Sequence, residues 1–483
     1  MSEPTMPTAP TMPTAPTMST APTTRTVVRD DDQTREANGG PGVLRRDPAG
    51  SRTPFAAEPW SATTRFQPVA STGGVPLMDI AERHGTPVYV VDETDVRARC
   101  RAFRTALPDA DIVYAAKAFL CRAMATWIRQ EGLGLDVCSG GELAIARSVG
   151  FPAERIVFHG NAKTPRELLD AVEYGVGRIV VDNLAEIPRL AGLVPPGRRQ
   201  KVLLRVVPDI EAGAHASIRT GGEGQKFGLS IATGDAAAAV VRVLRQPELH
   251  LVGLHCHLGS QILAAEPYER AVRVMVEQLA RIRDTYGIVL PELDLGGGQG
   301  IAYLPDGHGL TPDEFAVTVA KAVRERCAAL DLPEPRLTVE PGRSISGPAG
   351  LTLYRVIAVK RTLSRTLVAV DGGMSDNPRP SLYGARYTAR LIGRRSAMPV
   401  RPTTLVGHHC EAGDVIAEGA PLPADIRAGD VIAVPATGAY HHSMASTYNL
   451  TGRPPVVAVA DGAARVVVRR EEIDDLLRRD VGL

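Results

Sequence analysis

Eight short apolar runs separated by helical patterns constrain this chain more than any other feature of its sequence. The runs are Ile112–Lys117, Gly134–Cys138, Arg155–His159, Arg178–Asp182, Lys201–Val207, Leu249–His257, Glu292–Gly296 and Arg336–Glu340. Amphipathic spacing between them predicts helices over Arg122–Gln130, Gly141–Val149, Pro165–Tyr174, Ala185–Leu193, Asp235–Arg245, Tyr268–Tyr286 and Pro312–Leu330. Strands alternating with helices in this way give parallel β-α-β units, because a parallel pairing needs a crossover. A doubly wound open sheet would satisfy the same alternation. The count of eight, and the polar residues that end most runs, favour closure into a (β/α)8 barrel of the TIM type with its chemistry at the C-terminal face of the strands.

After about Gly350 the texture changes. Leu351–Val359, Thr366–Asp371, Thr404–Gly407, Asp430–Val434, Val456–Ala460 and Ala464–Arg469 are short β runs between Gly, Pro and Asp turns, the pattern of an all-β domain. Ahead of the barrel, Pro87–Val91 is a β-rich run, followed by a helical pattern over Asp95–Leu107 with Thr94 as its expected N-cap. A barrel complete at eight has no place for Pro87–Val91, so this run is expected to pair with the C-terminal domain. The predicted organisation is therefore a barrel over residues 93–350 and a β-barrel or sandwich domain made from residues 66–92 and 351–483.

The first 65 residues differ from both. Thr5–Pro22 cycles through Met, Pro, Thr and Ala, a composition that buries too little apolar surface to offset its ordering entropy, so disorder is expected to about Arg65. The segment lacks the basic start and apolar core of a secretory signal. No apolar run approaches the roughly 18 residues needed to span a bilayer. The net charge is only +1, with arginines scattered rather than grouped, which argues against nucleic acid as a partner. Six cysteines without a CxxC pair read as reduced thiols, consistent with a cytoplasmic protein.

The strand ends carry the candidate chemistry. Lys117 ends the first run; a lysine there is ordinarily a solvated terminus, and alternatively a point of covalent attachment for an aldehyde cofactor. His255 and His257 share a face of the sixth strand. With no third ligand nearby in sequence they suit a pair of hydrogen-bonded rim histidines better than a metal site. Gly259-Ser260 suits a tight turn with an exposed hydroxyl. Gly296-Gly297-Gly298 ends the seventh strand, where backbone N–H groups approach an anion closely, and this position is a frequent phosphate site in such barrels. Glu340-Pro341-Gly342-Arg343 ends the eighth with a carboxylate for a ring nitrogen and a guanidinium for an anion, unless the two simply pair with each other. A lysine, a stacking group, a phosphate cup and a ring-nitrogen partner on one rim are the four needs of pyridoxal 5'-phosphate.

The motifs extend this reading. Tyr114–Ala118, Asp136–Leu143, His159-Gly160-Asn161, Lys226-Phe227-Gly228, the His257 and Gly296–Gly298 segments, Glu340–Arg343, Asp371–Asn377, His409–Asp414 and Gly438-Ala439-Tyr440 occur in order. Together they resemble the diaminopimelate decarboxylase family, pyridoxal-phosphate decarboxylases built from an alanine-racemase-type barrel and a β domain. The resemblance runs from about Val75 to the C-terminus. It implies Lys117 as the Schiff-base lysine, His257 stacked on the ring, and Ser260, Gly298 and Tyr440 at the phosphate. Glu340 would face the pyridine nitrogen, within the cofactor-binding stretch that includes Pro341, Gly342 and Arg343. It further implies Arg343, Arg379, Tyr383 and Tyr440 as substrate contacts. Cys410 as proton donor and Glu411 as a contact to the distal amino group would reach the site of a neighbouring subunit, in a homodimer with shared sites. The implied reaction converts meso-2,6-diaminopimelate to L-lysine and CO2, and no metal is expected.

Some positions depart from the family pattern. Asn161-Ala162-Lys163 stands where two asparagines are usual, alanine at 412 replaces the common serine, His441-His442 replaces a cysteine-containing pair, and Pro378 and Pro380 flank Arg379. None removes a chemical group named above. They leave room for a paralogue acting on a related diamino or carboxylated amino acid. An amino-acid racemase shares the cofactor and barrel but takes its second base from a partner tyrosine, where this chain offers Cys410-Glu411. A non-enzymatic pyridoxal-phosphate carrier would lack the β domain.

Overall fold

The computed structural model describes residues 58–210, 212–213 and 220–482. Eight parallel strands close on themselves: Asp111–Ala115, Gly134–Val137, Ile156–Phe158, Arg178–Val181, Gln200–Val207, Leu249–His255, Glu292–Asp294 and Arg336–Val339, with the last pairing the first through Thr338–Asp111 and Val339–Ile112. The barrel is therefore closed, as the count of eight predicted, and a short extra strand, Leu229–Ser230, hangs on the fifth.

Side chains two apart on a strand face the same way, and that period sorts the barrel interior into layers. Val113, Val157, Val180, Leu203 and Val252 form a small apolar cluster of their own inside it. Two residues further along the same strands stand His159, Asp182 and Arg205, and the same register brings Asp136, Asp294 and Glu340 to the mouth. Two residues back stand Asp111, Arg155, Arg178 and Lys201 at the opposite end. The apolar plug thus separates two charged layers. Residues of opposite parity, such as Ile112, Tyr114, Leu135 and Phe158, face outward and form the large core shared with the helices.

The helices begin where local chemistry says they should. Thr164 and Thr311 each accept a hydrogen bond from the third residue of the following helix, whose glutamate reaches back to the cap N–H, and proline fills the first helical position of Pro165–Tyr174 and of Pro312–Ala329. The pre-barrel helix differs from expectation. It runs Glu93–Ala106, and Asp92, not Thr94, is the N-cap, accepting from Asp95 N–H. Asp92 is better placed because it ends a strand in extended backbone, the conformation a cap requires.

The second domain is a nine-stranded sheet. Val88–Asp92 lies in its middle, antiparallel to Gly350–Arg361 and parallel to Val456–Ala460, so the chain enters and leaves the barrel on adjacent strands. Two of its strands are not foreseen from the sequence, the two-residue Arg390–Leu391 and the longer Val415–Pro423. Val415–Pro423 contains Gly419, Pro421 and Pro423, and it is the terminal strand on its side of the sheet, where prolines cost no ladder hydrogen bond.

The expected disordered tail falls mainly outside the described residues, but its last stretch packs. Trp60 is 9% exposed and meets Phe66 edge-on at 4.9 Å, within an apolar cluster that includes Ile80, Val88 and Val457. Ser61 and Thr63 donate to the buried Asp92 carboxylate. The packed chain therefore begins before Arg65, because one tryptophan and two hydroxyls give this polar stretch a hydrophobic anchor and a partner.

Candidate active site

Lys117 lies in a single 3-10 turn, Ala116–Ala118, just past the first barrel strand. Close packing fixes that turn: Ala115 N–H donates to Pro341 O, and a Cβ on Gly342 would sit 2.9 Å from Ala115 Cβ and 3.1 Å from Ala118 Cβ. Glycine at 342 is therefore what lets the eighth strand's end approach the lysine. From the β domain, Tyr440 N–H donates to Ala118 O at 2.8 Å, joining the second domain to the same turn. The lysine's Nζ donates to Asp136 Oδ2 at 2.5 Å. Burial opposes its charge, but Asp136 and then Glu340 outweigh burial and hold the ammonium well above lysine's ordinary range.

Glu340 is 3% exposed. His159 Nε2 lies 2.7 Å from its Oε1, and His255 Nε2 lies 3.7 Å from its Oε2. Burial alone would raise its pKa; His159 and His255 more than reverse that and keep it a carboxylate. Asp294 behaves oppositely. Burial and the neighbouring Glu340 drive its carboxyl well above the usual range, despite a hydrogen bond from Gly296 N–H. His159, His255, Asp294 and Glu340 have ligand atoms all within 4.8 Å of one another. That grouping has a metal-like composition, and within it the Glu340 carboxylate faces two imidazoles. The Glu340 carboxylate and the two imidazoles form a polar floor to the mouth. Of its members the sequence pointed to Glu340 as a ring-nitrogen partner and to His255 as a rim histidine; His159, like the neighbouring Asp136, stood only within a recognisable motif.

The glycine cup is a close-contact structure. A Cβ at Gly297 would fall 2.1 Å from Glu340 O, and one at Gly298 would fall 2.3 Å from Gly259 O. Its N–H groups are partly used within the protein, unlike the expectation that several would point at an anion. Gly296 donates to Asp294, and Gly297 donates to His257 Nδ1 at 3.2 Å. Gly298 has no acceptor among the described residues. His257 is therefore pinned to the cup, and burial, followed by Lys117, pushes its imidazole well below the ordinary range, so it presents a neutral ring.

Arg343 opens the short helix Arg343–Ser346 and does not pair with Glu340, so that alternative is set aside. Its Nη2 donates to Ser260 Oγ at 2.7 Å, its Nη1 to Tyr303 Oη at 2.5 Å, and its guanidinium lies 4.6 Å over the Tyr440 ring. Arg379, flanked by the two prolines and starting the helix Arg379–Tyr383, is 4% exposed and donates to Tyr387 Oη. Tyr383 ends the same helix, half-buried. Tyr303, Tyr387 and His441 complete this cluster; the two tyrosines have no sequence signal of their own, and His441 stands out only as a departure from the family pattern.

Cys410 and Glu411 stand apart. They cap an exposed turn held from below by His409, whose ring nitrogens meet Ser375 Oγ at 2.8 Å and Asn449 Oδ1 at 3.0 Å, and by Asp414, which accepts from His409 N–H. Glu411 accepts from Tyr448 Oη at 3.1 Å. Among the described residues no hydrogen bond or ion pair links either residue to the Lys117 mouth of the same chain.

These residues fit pyridoxal phosphate on their own geometry. The mouth pairs an amine with a buried carboxylate below it, walls one side with a neutral imidazole, and opens a cradle at Gly298 and Ser260 that side chains would fill. A family model described as "Pyridoxal-dependent decarboxylase, pyridoxal binding domain" matches residues 93–347. Diaminopimelate decarboxylase from Actinosynnema pretiosum subsp. auranticum is 56% identical over 412 residues, covering 85% of this chain and 92% of that protein. The Mycobacterium tuberculosis diaminopimelate decarboxylase is 49% identical over 427 residues, covering 86% and 95%. Among solved structures, diaminopimelate decarboxylase from M. jannaschii in complex with L-lysine superposes with a TM-score of 0.82 at 29% identity, covering 87% of this chain and 98% of that one. Barrel, β domain and site define a pyridoxal-phosphate decarboxylase of the alanine-racemase-type fold. Within that class, the chain belongs to the diaminopimelate decarboxylase family. Among the described residues no helix is long and apolar enough to cross a membrane.

Proposed function

We propose that the protein decarboxylates meso-2,6-diaminopimelate to L-lysine and CO2, the last step of lysine biosynthesis. The observation that carries this reading is the convergence of Lys117 and Glu340 on one barrel mouth, beside two buried arginines that lack a carboxylate partner among the described residues. Pyridoxal phosphate, when bound, supplies the electron sink for the bond that breaks.

The chain's residues divide the remaining work. Lys117, its amine held beside Asp136, would be the residue that holds the cofactor aldehyde. Glu340, kept ionised by His159 and His255, holds a proton on the pyridine nitrogen and so sustains the sink. His257 covers the ring face as a neutral imidazole. Ser260, Gly298 and Tyr440 receive the phosphate. Arg343, Arg379 and Tyr383 bind the carboxylate that is not lost, and fork geometry suits a guanidinium to that task. A proton must then return to the carbon that released CO2. Cys410 supplies it from a second copy of the chain, where Glu411 meets the distal ammonium. The outward turn that carries both residues supports such a homodimer, and the reduced cysteines suit a cytoplasmic setting.

CO2 release by the purified, cofactor-loaded enzyme, measured on meso-diaminopimelate, ornithine, arginine and lysine, tests the reading. Turnover is expected on the first alone. Inactivity there together with turnover on another of the four would refute it.

A further inference from the structure

Two guanidiniums buried side by side are costly unless something compensates them. Arg343 and Arg379 are 6% and 4% exposed. Their side-chain partners among the described residues are hydroxyls and aromatic faces, with no carboxylate. Tyr303 is the residue that meets both: its phenol accepts from Arg343 at 2.5 Å, and the Arg379 guanidinium lies 4.7 Å over its ring. Tyr387 accepts from Arg379 and meets the Tyr303 ring edge-on at 5.2 Å. Each arginine still has a buried Nε–H with no acceptor. Each fork thus gives one donor to a phenol, Arg343 gives a second to Ser260, and the Nε–H edge of each guanidinium is left without an acceptor.

Resting on the reading above, we propose that Tyr303 is a specificity-determining residue, which holds Arg343 and Arg379 ready for the substrate's distal carboxylate and so selects amino acids that carry a second acid group. The phenol can donate part of the needed negative character without the full charge that would close the site. A carboxylate in place of Tyr303 would satisfy both arginines permanently; an apolar residue would leave them uncompensated. Burial raises the phenol's pKa, but Arg343 and Arg379 outweigh it and bring the group below the usual phenol range. The groups facing it are those two arginines and Tyr387, with Tyr440 stacked on Arg343 and His441 packed on Tyr387 at 5.5 Å. As pH rises, phenolate competes with an incoming carboxylate for the same guanidiniums.

The test uses the holoenzyme and two amine-free probes, pimelate with two carboxylates and heptanoate with one, as competitive inhibitors. In the parent, pimelate is expected to inhibit about 10-fold or more better than heptanoate, as a charge-assisted pair contributes, and to weaken toward alkaline pH. Tyr303→Phe keeps the ring and removes the hydroxyl. It should erase most of the preference and flatten the pH dependence, while heptanoate inhibition and the bound-cofactor absorbance stay unchanged. For the substrate, KM should rise with kcat little altered. An undiminished pimelate preference in Tyr303→Phe, with the cofactor spectrum intact, would overturn the proposal and leave the decarboxylase reading standing. A parent enzyme inactive on meso-diaminopimelate would remove that reading instead. Tyr387→Phe, which touches Arg379 but not Arg343, provides the second variant: it should retain more of the preference than Tyr303→Phe, and the reverse order would also count against the proposal.

Discussion

His159 Nε2 stands 2.7 Å from Oε1 of Glu340, beneath the mouth where Lys117 reaches Asp136. The imidazole keeps a fully buried carboxylate ionised, against the strong preference of a buried acid for its neutral form. The consequence is functional, because an ionised Glu340 can hold a ring nitrogen protonated. Glu340→Gln should therefore lower kcat by about 10²–10³-fold, comparable to losing a positioned charge-stabilising group. Steady-state rates at saturating cofactor check this. A loss of tenfold or less would mean the carboxylate is dispensable.

Arg379 offers a planar fork that lysine cannot reproduce. Arg379→Lys keeps the charge but loses the bidentate geometry, so KM for meso-diaminopimelate should rise by about 10- to 100-fold with a smaller change in kcat. Initial-rate kinetics separate the two parameters. An unchanged KM would place the distal carboxylate elsewhere.

Much of this site was legible because strand ends in a closed barrel point their chemistry to one face. Lys117, His257, the glycine cup and Glu340 could be placed from the alternation of runs alone, before any resemblance was considered. Asp136 and His159 stood in recognisable segments, but their pairing with Lys117 and Glu340 joins residues on different strands, and no local spacing encodes it. Tyr303 and Tyr387 lie in connections after the seventh strand and within the β domain, where neither period 2 nor period 3.6 assigns a face. The unforeseen strand Val415–Pro423 and the packed stretch at Trp60 share another cause: tertiary neighbours override a local composition that reads as turn or disorder.

His441 is fully buried, its Nδ1 meets Ala439 O at 2.8 Å, and burial followed by Arg379 lowers its pKa to about 3. The unfolded chain binds that proton near the ordinary histidine value of about 6.5. Stability from this group is therefore complete above about pH 6.5 and is lost as pH falls from there toward the folded value. His441→Gln should flatten the decline of unfolding free energy between about pH 6 and 4 by roughly 1.4 kcal/mol per pH unit, one proton's worth. Urea unfolding of both proteins across that window reads the difference. Parallel curves would show that His441 is not neutral in the folded state.

Trp60 anchors the start of the packed chain against Phe66 and the Ile80–Val88 cluster. Trp60→Ala should cost about 3 kcal/mol, the scale of emptying a large aromatic site. The shift in denaturation midpoint measures it. A change below about 0.5 kcal/mol, the range of ordinary surface substitutions, would mean that this segment does not contribute to the fold.

The account stands on Lys117 as the point where the cofactor is held. Borohydride reduction of the holoenzyme, followed by peptide mass mapping, reads that directly. A single pyridoxyl-phosphate adduct on Lys117, absent from Lys117→Ala, is the predicted result. A stable adduct on another lysine, or one that persists in Lys117→Ala, would contradict it.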